Sequence, residues 1–375
     1  MPNKLLNIIA IGYAKRALEE GSREQERMLS YARELQAYHL IVFTRTSERL
    51  PEFVQKENLF IYGTHSSTKL GMLFTAIKLG RTILKNKNQK FVVASQDPFE
   101  TSLVGYAISL GSTATNQVQI HGDVFNPLSC GASLIQRVRK VFGIWAVKRA
   151  AVVRVVSDRI KNSLLTLGVK EESIIVLPIQ SSLSSFYQAG ENRQYDENSA
   201  VSFLYVGRFS PEKNLPLLLR AFTQVVAVHP QCTLTLVGEG KEKAALEQYV
   251  QATALESNVT FLPWTQDVVT HMTTKDVFCL TSNHEGWAMV LLEAAASGMG
   301  IVTTDVGCAG EVLVDKRNAL VTPVADEQAY IQAMLWCAEN FAGRKELQLQ
   351  ARQTAKNFIE TESQYLEKLV DSYTS

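Results

Sequence analysis

The sequence predicts an α/β protein built from two Rossmann-like, doubly wound parallel-sheet domains facing each other across a cleft. Three observations carry that expectation. Short runs of β-favouring residues alternate with amphipathic helical stretches along the whole chain. At 375 residues, the chain exceeds what one core usually accommodates. A polar stretch, QAGENRQYDENSA at 188–200, separates two halves that each repeat the alternation.

In the first half, 1–187, the run Leu5–Ile11, closed by Gly12, reads as a strand buried on both faces, because a parallel strand covered by helices shows no polar side. Gly21-Ser22 reads as the N-terminus of a helix over Arg23–Ala37. Strands follow at His39–Phe43, Leu59–Tyr62, Phe91–Ala94, Gln117–Ile120, Val152–Val156 and Ile174–Leu177. Helices fall at Leu70–Leu84, Pro98–Leu110 and Leu134–Arg149. After the linker 188–200, the second domain, 201–355, has strands at Val201–Val206, Cys232–Val237, Val259–Leu262, Val277–Leu280 and Ile301–Thr304. Leu347–Tyr373 reads as one long charged helix, whose part at 356–375 is expected to pack back on the first domain.

Charge is balanced overall but not along the chain. Residues 1–198 hold 25 Lys and Arg against 17 Asp and Glu, and the remainder 13 against 20. A basic first half suits an anionic partner such as a membrane surface or an acidic acceptor. The five cysteines are scattered, with no C-x-x-C pair, and read as reduced, buried thiols of a cytoplasmic protein. No apolar run approaches 18 residues and no signal-peptide pattern opens the chain, so contact with the inner face of a membrane would be peripheral. Histidine spacing suggests no metal site, no D-x-D candidate is present, and no nucleic-acid partner is expected.

Two stretches carry the chemistry. In SNHEGWAMVLLEAAASG, 282–298, a strand, a turn at Gly286 and a helix N-terminus make an anion site from the amides of Trp287, Ala288 and Met289. Glu285 sits on its lip. Glu293 is the only charge between Trp287 and Met299, an odd place for a carboxylate without a polar partner. In GRFSPEKN, 207–214, Gly207 allows close approach of a ligand, and Arg208 and Lys213 put two cations on one strand-to-helix loop, as a diphosphate requires. Asn214 stands where an N-cap would.

The order G-R-x4-K-N, VGEG, FLPW and EGW-x5-E with AAASG resembles glycosyltransferase family 4, retaining enzymes of the two-domain GT-B type that use nucleotide sugars. The first half resembles it more loosely, through QDPFET, QIHGDVFNP and RVVSDRIKNSLLTLG. The resemblance implies that Arg208 and Lys213 neutralise the departing diphosphate, that Glu293 holds the ribose, and that Glu285 lies against the transferred sugar. It implies that Leu262–Trp264 meets the base and that His121 reaches the donor sugar. Asp97 and Asp123, at strand ends, are candidates for holding an acceptor hydroxyl, or simply helix caps. The co-substrate would be a UDP- or GDP-sugar, with no bound cofactor and no metal. The acceptor would be a lipid-linked or saccharide hydroxyl, in synthesis of cell-surface polysaccharide or glycoconjugate. Gly300 and Cys308 depart from the family pattern, which has proline and glycine there, and PIQSSLSSF lacks an acid. A sugar-nucleotide epimerase, a phosphorylase and a non-catalytic nucleotide-sugar-binding subunit are the competing readings. A dehydrogenase is disfavoured because no G-x-G-x-x-G follows a strand. The basic helical segment 136–154 reads either as an interfacial surface or as a core helix with snorkelling cations.

Overall fold

The computed structural model describes residues 3–85, 89–125, 134–179, 183–265 and 267–374. Cys130, Asn126 and Pro127 of the QIHGDVFNP stretch, and 180–182 of PIQSSLSSF lie outside them. The chain divides into two units, Met1–Pro178 with Thr361–Ser375, and Ile179–Glu360.

The first unit holds eight strands: β1 Asn3–Gly12, β2 Leu35–Val42, β3 Phe53–Lys56, β4 Leu59–Gly63, β5 Lys90–Ser95, β6 Thr115–Ile120, β7 Val152–Val155 and β8 Ile174–Val176. Their spatial order is β3-β4-β2-β1-β5-β6-β7-β8, all parallel except β3, which pairs antiparallel with β4. Period-two alternation along β1 sends Leu6, Ile8 and Ala10 to one face and Ile9 and Ile11 to the other, and both faces are dry. On the first face pack the helix Arg23–Arg33, through Met28, Leu29 and Ala32, and the helix Glu362–Thr374, through Tyr365, Leu366 and Leu369. On the second pack Lys69–Ile83 and Glu100–Ser109, through Ala76, Val104 and Ile108. Ser22 caps the first helix, accepting the Gln25 amide at 3.1 Å.

The second unit holds β9 Ser202–Val206, β10 Thr233–Val237, β11 Val259–Leu262, β12 Val277–Leu280, β13 Gly300–Thr304 and β14 Leu320–Thr322. All are parallel, in the order β11-β10-β9-β12-β13-β14. From β9 the chain steps outward one way, and from β12 the other. The strand order therefore reverses between β9 and β12, and in such sheets ligands bind beyond the C-terminal strand ends at that point.

Several features differ from the sequence reading. The helix expected over Arg23–Ala37 ends at Arg33, and Leu35–Ala37 open β2, because Leu35 and Tyr38 are drawn into the sheet core. The stretch 188–200 is built into the second unit. Arg193 donates to Met272 O at 2.8 Å, to Lys275 O and to Ser297 O at 3.3 Å, gathering carbonyls at the ends of the helices Val268–Thr274 and Met289–Ala296, where a cation complements the dipole. The helix expected over Leu347–Tyr373 is two, Phe341–Lys356 and Glu362–Thr374. Thr361 and Gln364 start the second reciprocally, Gln364 N donating to Thr361 Oγ1 and Thr361 N to Gln364 Oε1. The basic segment 136–154 is a helix ending at Arg149, then β7, in which Arg154 is buried and donates to Gln119 Oε1 at 3.0 Å.

Leu369 is 2% exposed against the β-sheet core. Leu369→Ala is expected to cost about 2–5 kcal/mol of first-unit stability. Urea unfolding followed by near-UV dichroism reads it; a loss under about 1 kcal/mol would mean that this helix is peripheral to the core.

Candidate functional site

The loops leaving β9 and β12 are stitched to each other. Asn283 N donates to Glu212 O at 2.8 Å, Thr281 Oγ1 to Lys213 O at 2.9 Å, and Asn214 Nδ2 to Asn283 Oδ1 at 3.2 Å. The Asn214 side chain thus ties the loops and does not cap the helix Leu215–Val228, whose N-cap position it occupies with φ 49°. Gly207 and Arg208 are held from beneath by the VGEG turn: Phe209 N donates to Glu239 O at 2.9 Å, and Gly207 N to Val237 O at 3.0 Å. Gly238 has φ +150°, and a Cβ there would stand 1.9 Å from Gly207 O, so only glycine fits.

Across this stitch lies a charged group. Lys213 Nζ donates to Glu285 Oε1, which also accepts Ser282 Oγ at 2.7 Å. The two side chains are 16% and 14% exposed. Among the described residues, no further hydrogen bond reaches Glu285 Oε2, which leaves that oxygen for a ligand. Arg208 is the opposite case, 78% exposed and held only 3.5 Å from Glu212 Oε1. It is an exposed cation, loosely paired, beside a sheltered one. Ser282 is missed by the sequence reading; its signal is a hydroxyl immediately past an apolar strand.

Three residues past Glu285, Ala288 adopts φ 58° and ψ 57°, the left-handed region that costs an alanine about 1–2 kcal/mol. That bend starts the helix Met289–Ala296 with no side-chain cap, so its first amides point out of the helix end. Met289, Val290 and Glu293 form the partly open stripe of this helix, while Leu291, Leu292 and Ala294 are buried. Glu293 therefore shares a face with the open helix end. Trp287, by contrast, turns its side chain into the core against Phe358, with its carbonyl accepting Cys308 N at 3.0 Å. Only its backbone edges the site. Gly286 is half-buried in the same loop. Leu262 is half-buried at the end of β11, its carbonyl accepting Gly238 N at 3.0 Å, and Trp264 beyond it is 60% exposed.

In the first unit, strand order reverses between β1 and β5. Asp97 follows β5 and His121 follows the adjacent β6. Asp97 Oδ1 accepts Phe99 N at 2.6 Å, a loop bond rather than a cap of the next helix, while Oδ2 is buried without a hydrogen-bond partner among the described residues. Burial raises this carboxyl above the usual range. Asp123 is buried in the turn closed by Val124 N and Gly122 O at 2.8 Å. His121 is exposed as a residue, yet protein crowds its ring; that crowding first, then Arg154 and Arg27, push its pKa down to about 3.

Residues 192–358 match the family model described as "Glycosyl transferases group 1". An uncharacterised glycosyltransferase of Haemophilus influenzae is 29% identical over 178 residues, 47% of this chain and 48% of that one. Phosphatidyl-myo-inositol mannosyltransferase of Mycolicibacterium smegmatis is 30% identical over 141 residues, 36% of each. The chain thus spans about half or less of the length of these two relatives. Among solved structures, sucrose-phosphate synthase from Thermosynechococcus elongatus superposes with a TM-score of 0.76 at 19% identity, covering 98% of both chains. Anabaena HepE in complex with UDP gives 0.74 at 17% identity, covering 98% of this chain and 99% of that one. The likeness establishes the fold, two parallel-sheet α/β units of the GT-B type.

Two outcomes follow. In a double-mutant cycle of Lys213→Met and Glu285→Gln, each single change leaves a sheltered group unpaired, and a coupling of about 1–3 kcal/mol is expected in urea unfolding. A value near zero would mean that solvent already screens the pair. For His121, the folded pKa lies below the ordinary 6.5, so stability is full above that value and is lost as the pH falls from 6.5 towards about 3. NMR of the ring should show no titration between pH 5 and 8, and a midpoint near 6.5 would contradict the assigned environment.

Proposed function

We propose that this protein is a retaining glycosyltransferase of family 4 that moves a hexosyl group from a nucleoside diphosphate sugar to a hydroxyl of a lipid-linked or saccharide acceptor. The observation that carries the reading is the strand-order reversal between β9 and β12, where Arg208, Lys213, Glu285, Glu293 and an uncapped helix end gather on one edge. Each element suits one part of such a donor. The amides of Ala288 and Met289 with Arg208 and Lys213 carry the charge that grows on the diphosphate as the sugar departs. Glu293 accepts from the ribose hydroxyls, and Leu262–Trp264 borders the base. Glu285 Oε2 accepts from the sugar hydroxyls, and its Oε1, tied to Lys213, keeps that lysine aimed at the phosphates.

In the transfer, the bond from the anomeric carbon to the phosphate oxygen breaks, the acceptor oxygen bonds to the same face, and the acceptor proton leaves with the phosphate. Cations and helix amides, rather than a metal, supply the electrostatics in this proposal. His121, neutral at physiological pH, takes part as a hydrogen-bonding imidazole in sugar recognition. Asp97, with an uncommitted buried oxygen, is assigned to the acceptor hydroxyl, and Asp123 is a second candidate for it. Support for the donor class comes from the group 1 match over residues 192–358 and from the UDP bound to HepE. Support for a lipid-linked acceptor comes from the name of the mycobacterial relative and from the basic first half of the chain. We place the protein in the cytoplasm, at the inner membrane face, in glycoconjugate synthesis.

Calorimetry with UDP, GDP and ADP tests the donor site. One nucleotide should bind at micromolar Kd, weakened about tenfold or more by Arg208→Ala and by Glu293→Ala. Glu285→Ala should lower turnover about a hundredfold or more and, by releasing Lys213, weaken that affinity less than Arg208→Ala does. Turnover of donor without any acceptor would favour an epimerase, and tight nucleotide binding with no turnover a binding subunit.

A further inference from the structure

We infer that Glu212 is a positioning residue that competes with the donor's diphosphate for Arg208, and so speeds departure of the spent nucleotide from the second unit's site. The inference rests on the donor reading above and gives a part to a carboxylate that the reading leaves out. An acid on a loop that holds a diphosphate works against binding, yet Glu212 is built in. Its Oε1 accepts Ser210 Oγ at 2.6 Å and stands 3.5 Å from Arg208 Nη2. Its backbone is fixed on both sides, Lys213 N donating to Ser210 O at 2.9 Å and Asn283 N to Glu212 O at 2.8 Å. Glu212 is 29% exposed against 78% for Arg208. The carboxylate is the anchored member of the pair and the guanidinium the movable one.

A second acid backs the first. Glu242 N donates to Phe209 O at 3.2 Å, and Gly240 lies so close that a Cβ there would stand 2.1 Å from that same oxygen. The turn thus presses Glu242 against the loop that carries Arg208 and Glu212. Glu242 Oε2 is buried without a hydrogen-bond partner among the described residues. Burial first, then the charge on Glu212, raise its carboxyl above the usual range. Glu212 itself lies below that range: burial pushes it up, but Ser210, the loop backbone, Arg208 and Lys213 together outweigh burial. Of Arg208 and Lys213, the second is bound to Glu285, so Arg208 is left to answer both acids.

Arg208 therefore has two anions to serve. An arriving diphosphate offers the guanidinium more charge, and a bidentate partner, than one carboxylate oxygen 3.5 Å away does. When the sugar leaves, the bonding electron pair stays on the phosphate, and the nucleotide gains the charge that the site is arranged to stabilise. Such a site holds its product tightly, and product release limits turnover in many enzymes. Glu212 opposes this. Anchored by Ser210 and repelled by Glu242, it takes the guanidinium back and removes one of the groups that grip the nucleotide. Lys213 has no such exchange to make, because its own acid, Glu285, pairs with it inside the site.

The test measures binding and release of whichever of UDP, GDP and ADP the full chain takes up. Glu212→Gln keeps the side chain's size and an oxygen for Ser210 while removing the charge. The Kd is expected to fall about threefold, the scale of an exposed ion pair. The change should lie in the dissociation rate, read by stopped-flow displacement, and not in the association rate. In an Arg208→Ala background the same substitution should leave Kd unchanged, since no guanidinium remains to be reclaimed. Glu212→Asp, which keeps the charge but shortens the reach to Arg208, should act in the same direction, so a folding defect in one variant does not leave the question open. The inference is overturned if Glu212→Gln leaves Kd and the dissociation rate at wild-type values, or if it weakens binding. It is also overturned if the gain persists in the Arg208→Ala background, where only general repulsion could produce it. A wild type that binds none of the three nucleotides overturns the donor reading and this inference together; binding without a Glu212 effect overturns the inference alone.

Discussion

A lysine and a glutamate 72 positions apart tie together the two loops of the second unit's candidate site. Lys213 and Glu285 leave neighbouring parallel strands on different loops, and each is sheltered enough that losing its partner would strand a charge. The pair sets the separation of the two loops, and the weaker bonds of Asn214, Asn283 and Thr281 follow from it. It also anchors the segment that ends in a left-handed Ala288. Strain of that kind persists only where the surroundings over-determine it, and here they aim the first amides of a helix out of the sheet edge. Charge, bend and helix end form one mechanical unit.

Strands such as β1, β9 and β12 are legible in the sequence because covering both faces of a parallel sheet demands unbroken apolar runs. Their order is legible because helical stretches separate them. The antiparallel β3 is not, since Phe53–Lys56 alternates exposed and half-buried residues on a sheet edge and shows no apolar run. Nor does an apolar run disclose its polar members. Arg154 hides within VVRV, and with Gln119 and Gln117 it forms a buried polar row under the helix Glu362–Thr374, where Gln117 donates to Ser372 O at 2.5 Å.

The candidate site divides along the same line. Arg208, Lys213, Glu285 and Glu293 can be picked out because charges at strand ends and in apolar helices are conspicuous. That Glu285 binds Lys213 cannot be read, because the contact joins loops with most of a Rossmann half between them. Trp287 is legible only as a backbone amide; that its side chain packs inward against Phe358 is set by tertiary contacts the sequence does not show. The break at 357–361 escapes a periodicity reading, because both flanking segments are helical and charged and only the Thr361–Gln364 pairing marks the restart.

Because residues 361–375 complete the first unit, the second is in effect an insertion within it. On the ribosome the first unit is made first yet finished last. Its sheet, from β1 to β8, waits with part of one face uncovered beside the helix Arg23–Arg33 while 182 intervening residues, Ile179–Glu360, are synthesised and fold. Only then can Tyr365, Leu366, Leu369 and Tyr373 close over Leu6, Ile8 and Tyr38. Chaperone demand should therefore concentrate on that waiting apolar face, and a stalled or prematurely ended chain would expose it even when the second unit is fully formed.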